Sequence, residues 1–166
     1  MVDFQAIIDK YYPHGTPGRE IYMRHALQVT EKAIQTAEAC KLDLNIDDVR
    51  ASAMLHDIGI CFTNAPSIGC NGSEPYIKHG IIGAEILRRE GYPEIYARVA
   101  ERHTGAGITI EDIDTQGLPL PRQNYCPETI LERLVCYADK FFSKSGTIQE
   151  KSIESIRRSM ERHSPA

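Results

Sequence analysis

A histidine and an aspartate are adjacent at residues 56 and 57, directly after the apolar run Val49 to Leu55. Imidazole nitrogen and carboxylate oxygen are both metal ligands, so His56-Asp57-Ile58-Gly59 places two candidate ligands at the end of a predicted helix. Gly59 suits the left-handed residue that ends a helix, and we expect it to fix both side chains beside a cavity. The dipeptide alone is a weak indication, because His-Asp occurs by chance in many chains.

Four further residues of the same chemistry lie on or at the ends of other predicted helices. His25 and Asp139 fall on helix faces that are otherwise apolar, where an unpaired polar group is costly. His79 lies in the first turns of one helix, and His103 ends another. This placement predicts one buried site where six side chains meet: His25, His56, Asp57, His79, His103 and Asp139.

Six protein ligands exceed what one catalytic ion with an open coordination position needs. Two divalent ions bridged by Asp57, with solvent completing their coordination, would use all six. Imidazole and carboxylate ligands suit several metals. We therefore predict two divalent ions, with Fe or Mn favoured and Zn or Mg as alternatives.

Helical periodicity dominates the rest of the chain. Apolar residues recur at spacings of three and four, and Asn45 followed by two acidic residues is typical of a helix start. The patterns predict an all-α fold, a single compact helical bundle of six or seven helices, at residues 3–12, 19–41, 45–55, 75–90, 93–103, 128–143 and 147–162. The whole chain is predicted to be one domain with its core at about 19–143. The charged C-terminal helix, about 147–163, has only a thin apolar stripe, and we expect it to pack on the core or at a homodimer contact.

Two irregular segments interrupt the helices, at residues 60–74 and 104–126. The first is predicted to be a surface loop over the site, and the second holds a short helical turn from Ile110 to Ile113 that Thr109 can cap. Together with the start of the following helix, these segments, 60–78 and 104–126, should shape the substrate pocket. His14 and His163 are expected on the surface.

Composition limits the possible partners. The chain has 166 residues with 19 basic and 23 acidic side chains, a net charge of −4, so no basic surface for a nucleic-acid polymer is indicated. No apolar run approaches a membrane span, and we expect a cytoplasmic protein without membrane contact. The five cysteines form no C-x-x-C pair and are predicted to be reduced thiols.

The order His, His-Asp and distant Asp resembles the HD superfamily of metal-dependent phosphohydrolases, from about Arg24 to Phe142, and His56-Asp57-Ile58-Gly59 matches its HDIG subset. In that family, residues matching His25, His56, Asp57 and Asp139 bind a metal ion. His79 and His103 resemble the additional ligands of its two-metal branch. That branch includes bacterial dinucleoside-tetraphosphate hydrolases, cyclic-dinucleotide phosphodiesterases and mixed-valent di-iron oxygenases.

Two short motifs refine the resemblance. His103-Thr104-Gly105 is similar to a segment of the tetraphosphate hydrolases. Gly91-Tyr92-Pro93 spells the triplet that names the cyclic-dinucleotide phosphodiesterases, but there the triplet follows two adjacent histidines, which this chain lacks. We therefore interpret Gly91-Tyr92-Pro93 as a turn between two helices.

The resemblance implies hydrolysis of a small phosphate ester or nucleotide by a metal-activated water. Asp57 would bridge the ions and orient the nucleophile, and Lys140, beside a predicted ligand, is the second catalytic candidate. Lysines and arginines near the ligands are the candidate phosphate contacts, with surface roles as the alternative: Lys78, Lys140, Arg24, Arg102 and Lys144.

Two other functions fit the same ligands. A mixed-valent di-iron oxygenase would reveal itself by oxygen consumption or by an electron-paramagnetic signal. A non-catalytic nucleotide-binding module would bind nucleotides tightly without hydrolysing any phosphate ester. The sequence leaves both open.

Overall fold

The computed structural model describes residues 3–146 and 148–162, and these residues form eight α-helices. The all-α fold class is confirmed. The helices are α1 Phe4–Tyr11, α2 Pro17–Ala39, α3 Ile46–Leu55, α4 His79–Arg89, α5 Glu94–Arg102, α6 Ile110–Gln116, α7 Ile130–Asp139 and α8 Ile153–Glu161. None of them is long and apolar enough to span a bilayer.

Seven helices were predicted, and the eighth is α6, whose sequence was predicted to form only a short helical turn. Its N-terminus has a complete capping box: the Thr109 hydroxyl accepts a hydrogen bond from the Asp112 amide (3.1 Å), and the Asp112 carboxylate accepts one from the Thr109 amide (2.8 Å). Gly117 ends the helix in a left-handed conformation. Caps at both ends stabilise a helix that is too short for a clear apolar period.

Local sequence explains the start of the longer helices as well. Thr16 caps α2, whose first residue is Pro17, and the Asn45 side chain accepts a hydrogen bond from the Asp47 amide at the start of α3, as predicted. The turn predicted at Gly91-Tyr92-Pro93 is confirmed: Gly91 has φ 79° and α5 begins at Glu94.

The core lies between α2, α3, α4, α5 and α7. One cluster of buried side chains joins α1, α3 and α4 through residues such as Ile8, Leu55 and Leu87. A second cluster joins α2, α3, α5 and α7 through Val29 and Val135, among others. The predicted ligands are therefore enclosed by packed helices on several sides.

Residues 58–78 are more ordered and more buried than the predicted surface loop. They form three 3₁₀ helices, Ile58–Phe62, Pro66–Ile68 and Tyr76–Lys78, and an antiparallel pair of two-residue strands, β1 Asn64–Ala65 and β2 Cys70–Asn71. Ile60, Thr63 and Ile68 are buried. The short 3₁₀ helices of this segment direct large apolar side chains such as Ile60 and Ile68 into the core. The turns are too short to produce a hydrophobic periodicity that the sequence could reveal.

The predicted left-handed role of Gly59 was wrong. Gly59 lies inside the 3₁₀ helix Ile58–Phe62 and is absent from the residues with positive φ in the described part of the chain. A Cβ atom at this position would overlap the carbonyl oxygen of His79 and the amide nitrogen of Gly83. Glycine is required here because the 3₁₀ helix and α4 approach through their backbones.

The last two helices are shorter than predicted. α7 ends at Asp139 rather than at residue 143, and α8 covers Ile153–Glu161 rather than 147–162. The apolar stripe of α8 does not enter the core, since α8 contains no buried residue. Residue 147 and the predicted surface histidine His163 lie outside the described residues. All five cysteines are free thiols, as predicted.

Candidate metal centre

Helix ends position most of the predicted ligands. Only His25 lies in the middle of a helix, on the buried face of α2. Asp57 lies one residue before the 3₁₀ helix that packs on α4. The other four stand at helix termini: His56 after α3, His79 at the start of α4, His103 after α5 and Asp139 at the end of α7.

The structure brings all six together in two overlapping sets. In the first ligand group, defined as His25, His56, Asp57 and Asp139, the ligand atoms lie within 4.8 Å of one another. His25 Nε2 is 3.0 Å from Asp139 Oδ1 and 3.3 Å from Asp57 Oδ2, and His56 Nε2 is 3.1 Å from Asp57 Oδ2. Two carboxylates and two imidazoles thus face one point.

The second ligand group consists of Asp57, His79 and His103. Its contacts use the other oxygen of the shared carboxylate: Asp57 Oδ1 is 3.2 Å from His103 Nε2 and 3.6 Å from His79 Nε2. The two Nε2 atoms are 3.1 Å apart. Asp57 therefore presents one oxygen to each group, which is the arrangement that a bridging ligand needs.

Main-chain carbonyls orient three of the four histidines. In each, the ring Nδ1 lies within hydrogen-bond distance of the carbonyl oxygen three residues earlier, at 2.6 Å for Ala53, 2.7 Å for Tyr76 and 2.8 Å for Ala100. An Nδ1–H that donates to a carbonyl leaves the Nε2 lone pair for a metal. The histidines oriented in this way are His56, His79 and His103.

Electrostatics differ between the groups. Burial acts to lower the pKa of His56, but the charges of Asp57 and Asp139 outweigh it and raise the pKa to about 9. Burial, assisted by the neighbouring His103, lowers the pKa of His79 to about 3. Burial favours the neutral form of Asp57, yet the positive charges of His56 and Lys144 hold its pKa well below the usual range.

The residues present fit a metal. Asp57 Oδ1 and His56 Nε2 are buried and have no aligned hydrogen-bond partner in the described part of the chain, and Asp57 Oδ2 has only the ion pair with Lys144 besides its histidine contacts. Buried polar atoms are normally satisfied, so a set of unsatisfied ligand atoms converging within a few ångströms is suited to a cation. The nitrogen and oxygen donors match divalent transition metals.

The five predicted cationic contacts divide into two classes. Lys144 Nζ lies 2.8 Å from Asp57 Oδ2, and Lys140 Nζ lies 2.8 Å from Asp139 Oδ2 and donates to the carbonyl of His103 (3.1 Å). These two ammonium groups adjoin the ligands. The charged groups of the other three contact the protein itself: Lys78 pairs with Glu74, Arg102 contacts Cys126 O and Glu128, and Arg24 donates to Lys144 O.

A cleft of about 550 Å³ reaches Asp139 of the first ligand group, and Lys140 and Lys144 line it as well. Residues 64–68 and Tyr76 contribute to the lining, as predicted for the segment 60–78. Ile156, Ser159 and Met160 of α8 also line it, which the sequence did not indicate. Residues 104–126 are not among the described residues that line this cleft, although Thr104 Oγ1 is 3.5 Å from His79 Nε2.

A family model for the HD domain matches residues 22–143, which contain all six predicted ligands. The chain belongs to the HD-domain family. This confirms the resemblance seen in the sequence. Lys144 and α8, by contrast, lie beyond the matched region of this HD domain.

Similar proteins of known sequence are mostly longer. The chain is 36% identical over 141 residues to a tRNA (cytidine(56)-2'-O)-methyltransferase of Thermoplasma volcanium, and 37% identical over 134 residues to the enzyme of that name from Picrophilus torridus. These matches cover 85% and 81% of this chain but only 37% and 35% of the relatives. An uncharacterized protein of Methanocaldococcus jannaschii is 40% identical over 123 residues, 72% of this chain and 65% of the relative.

Solved structures show the same fold. The HD domain of the L. monocytogenes phosphodiesterase PgpH aligns with a TM-score of 0.58 and 18% identity, covering 94% of this chain and 81% of that one. The same domain in complex with cyclic-di-AMP gives 0.59 and 20%, covering 93% and 79%. At these identities the likeness concerns the fold.

Proposed function

We propose that this HD domain is a metal-dependent hydrolase of a small phosphate ester or nucleotide. The observation that carries the proposal is the shared carboxylate: Asp57 directs Oδ2 to the first ligand group and Oδ1 to the second. Two divalent ions, Fe or Mn, would occupy these groups. Bound divalent ions lower the pKa of coordinated water and neutralise charge on phosphoryl oxygens.

The side chains around the ions supply the remaining functions. In the proposal, Asp57 would bind both ions and so set their separation. Lys140 and Lys144 would supply two positive charges in the cleft that bind phosphoryl oxygens. The contact from Lys140 to the carbonyl of His103 also connects the cleft to the second group. Lys78, Arg24 and Arg102 stay predictions as phosphate contacts, and their present partners favour structural roles.

Methyl transfer is not part of the proposal. The name of the two longer relatives describes whole proteins, of which this HD domain spans little more than a third. The converging buried atoms are of the kinds that bind divalent metals, and a metal held by such a set would polarise water and phosphoryl oxygens.

Metal-loaded protein tests the proposal. We expect Mn²⁺- or Fe²⁺-loaded protein to release product from at least one member of a phosphate-ester panel, measured as phosphate or by chromatography. The panel should contain nucleotides, dinucleoside polyphosphates and cyclic-di-AMP, because a structural neighbour binds the last. Short RNA belongs in it because two relatives carry a tRNA enzyme name, although the sequence predicts no polymer substrate.

Lys140→Met and Lys144→Met each remove a positive charge from the cleft and should raise KM. Lys41→Met, at an exposed position on the surface, is the matched control and should leave KM unchanged. Metal-loaded protein that hydrolyses no panel member would contradict the proposal. Tight nucleotide binding in that case would favour the non-catalytic module, and oxygen consumption would favour the oxygenase.

A further inference from the structure

Two chemically different parts of the chain line the cleft. Lys140 and Lys144, whose ammonium groups lie beside Asp139 and Asp57, form one part, and α8 contributes the apolar side chains of Ile156 and Met160. These two residues are four apart and therefore lie on one stripe of the helix. A ligand that fits both parts has an anionic end and an apolar end.

Core packing does not explain the stripe on α8. No residue of α8 is buried, and Met160 is 39% exposed. Ile153, on the same helix, is 59% exposed and is not among the described residues that line the cleft. The apolar atoms of Ile156 and Met160 thus face a space that is open to a ligand.

A row of polar residues on α2 holds the connection that leads to α8. Arg24, Gln28 and Lys32 are spaced by four residues and lie on one face of α2. They contact successive points of the connection: Arg24 donates to Lys144 O (2.9 Å), Gln28 to Ile148 O (2.8 Å), and Lys32 pairs with Glu150 (2.5 Å). These contacts hold Lys144, Ile148 and Glu150, which precede α8, against α2.

We propose that α8 is the specificity wall of the cleft, and that the substrate is a phosphate ester whose organic group is apolar and lies against Ile156 and Met160. The phosphoryl end then reaches Lys140 and Lys144. The proposal rests on the proposed function for the identity of the anion. Charge complementarity supports it, since Lys151 adds a third ammonium to the cleft lining. The wall lies outside residues 22–143, the region that the HD-domain family model matches.

Binding of two phosphonates of different size tests the proposal without turnover. Phenylphosphonate and methylphosphonate share the anionic group, and their P–C bonds resist hydrolysis. Calorimetry on the full chain loaded with Mn²⁺ should show tighter binding of phenylphosphonate. Ile156→Asn should weaken phenylphosphonate binding by about tenfold and change methylphosphonate binding less than about twofold, because it removes the apolar contact without adding charge. Ile156→Ala should show the same selectivity with a smaller effect.

Ile153→Asn is the matched control, because it introduces the same polar side chain on the same helix away from the cleft lining. It should change neither dissociation constant. Equal binding of the two phosphonates by the unmodified protein, or an equal effect of Ile156→Asn on both, would overturn the specificity wall. If phosphate esters are not hydrolysed but the selectivity for phenylphosphonate follows Ile156, the hydrolase proposal fails and the wall stands.

Discussion

The two ligand groups contain the same kinds of side chain but differ in electrostatics. The first group has two carboxylates for two imidazoles, and the pKa of His56 is raised to about 9. The second group has one shared carboxylate for two imidazoles, and burial lowers the pKa of His79 to about 3. Burial acts to lower the pKa of both imidazoles, but only at His56 do the two neighbouring carboxylates outweigh it. A metal that binds the first group would therefore displace a proton from His56, whereas His79 in the second group is already neutral.

Asp57→Ala should have the largest effect, because it removes the residue common to both groups. We expect metal content to fall from two ions per chain to nearly none and turnover to be lost, measured by elemental analysis and product release. Asp43→Ala, at an exposed carboxylate, is the control. Near-normal activity in Asp57→Ala would place the chemistry elsewhere.

Substitutions confined to one group should separate the two sites. His103→Ala or His79→Ala should lower the metal content of anaerobically purified protein from two ions toward one, whereas His14→Ala, at an exposed histidine, should leave it at two. A plateau at one ion in the unmodified protein would show that the two-metal proposal is wrong.

The pH dependence of stability should differ in sign between the groups in chelator-treated protein. The folded-state pKa of His56 is raised, so its contribution is present below its unfolded pKa of about 6.5 and is lost as pH rises toward 9. The folded-state pKa of His79 is lowered, so stability is lost as pH falls from about 6.5 toward 3. The thermal midpoint should peak near neutral pH and fall by roughly 5 °C on each side.

Two variants test whether His56 causes the loss of stability at alkaline pH and His79 the loss at acid pH. His56→Gln should flatten the alkaline side, and His79→Gln should flatten the acid side, most clearly between about pH 5.5 and 6.5, where ordinary carboxylates are already ionised. The same change in both variants would contradict the electrostatic difference between the groups.

The smallest expected effect comes from Thr104→Val, which removes a hydroxyl 3.5 Å from His79 Nε2 while keeping the side-chain shape. We expect the affinity of the second group for Mn²⁺ to fall by about fivefold or less, and that of the first to stay unchanged, in competition with a chelating dye. Equal weakening of both sites would show that Thr104 acts on the fold rather than on the second group.

The sequence predicted the helices and the set of converging residues because both depend on local patterns. Periodicity and caps define the helices, and a histidine or aspartate on an apolar face is costly unless it is paired or bound to a metal. The role of Gly59 could not be predicted, because it depends on the approach of α4, twenty residues further along the chain. The wall formed by α8 depends likewise on tertiary contacts from α2, since the stripe of Ile156 and Met160 is also compatible with a packed helix.

The contact between Gly59 and α4 also has a dynamic consequence. Asp57 stands two residues before this contact and His79 begins the helix on its other side. The spacing of the ligand groups is therefore set by two main chains in van der Waals contact, which rotamer changes do not alter. We therefore expect both groups to move together, so that two bound ions would keep their separation when the surrounding loops fluctuate. A single added methyl group at residue 59 would change that separation without altering any ligand.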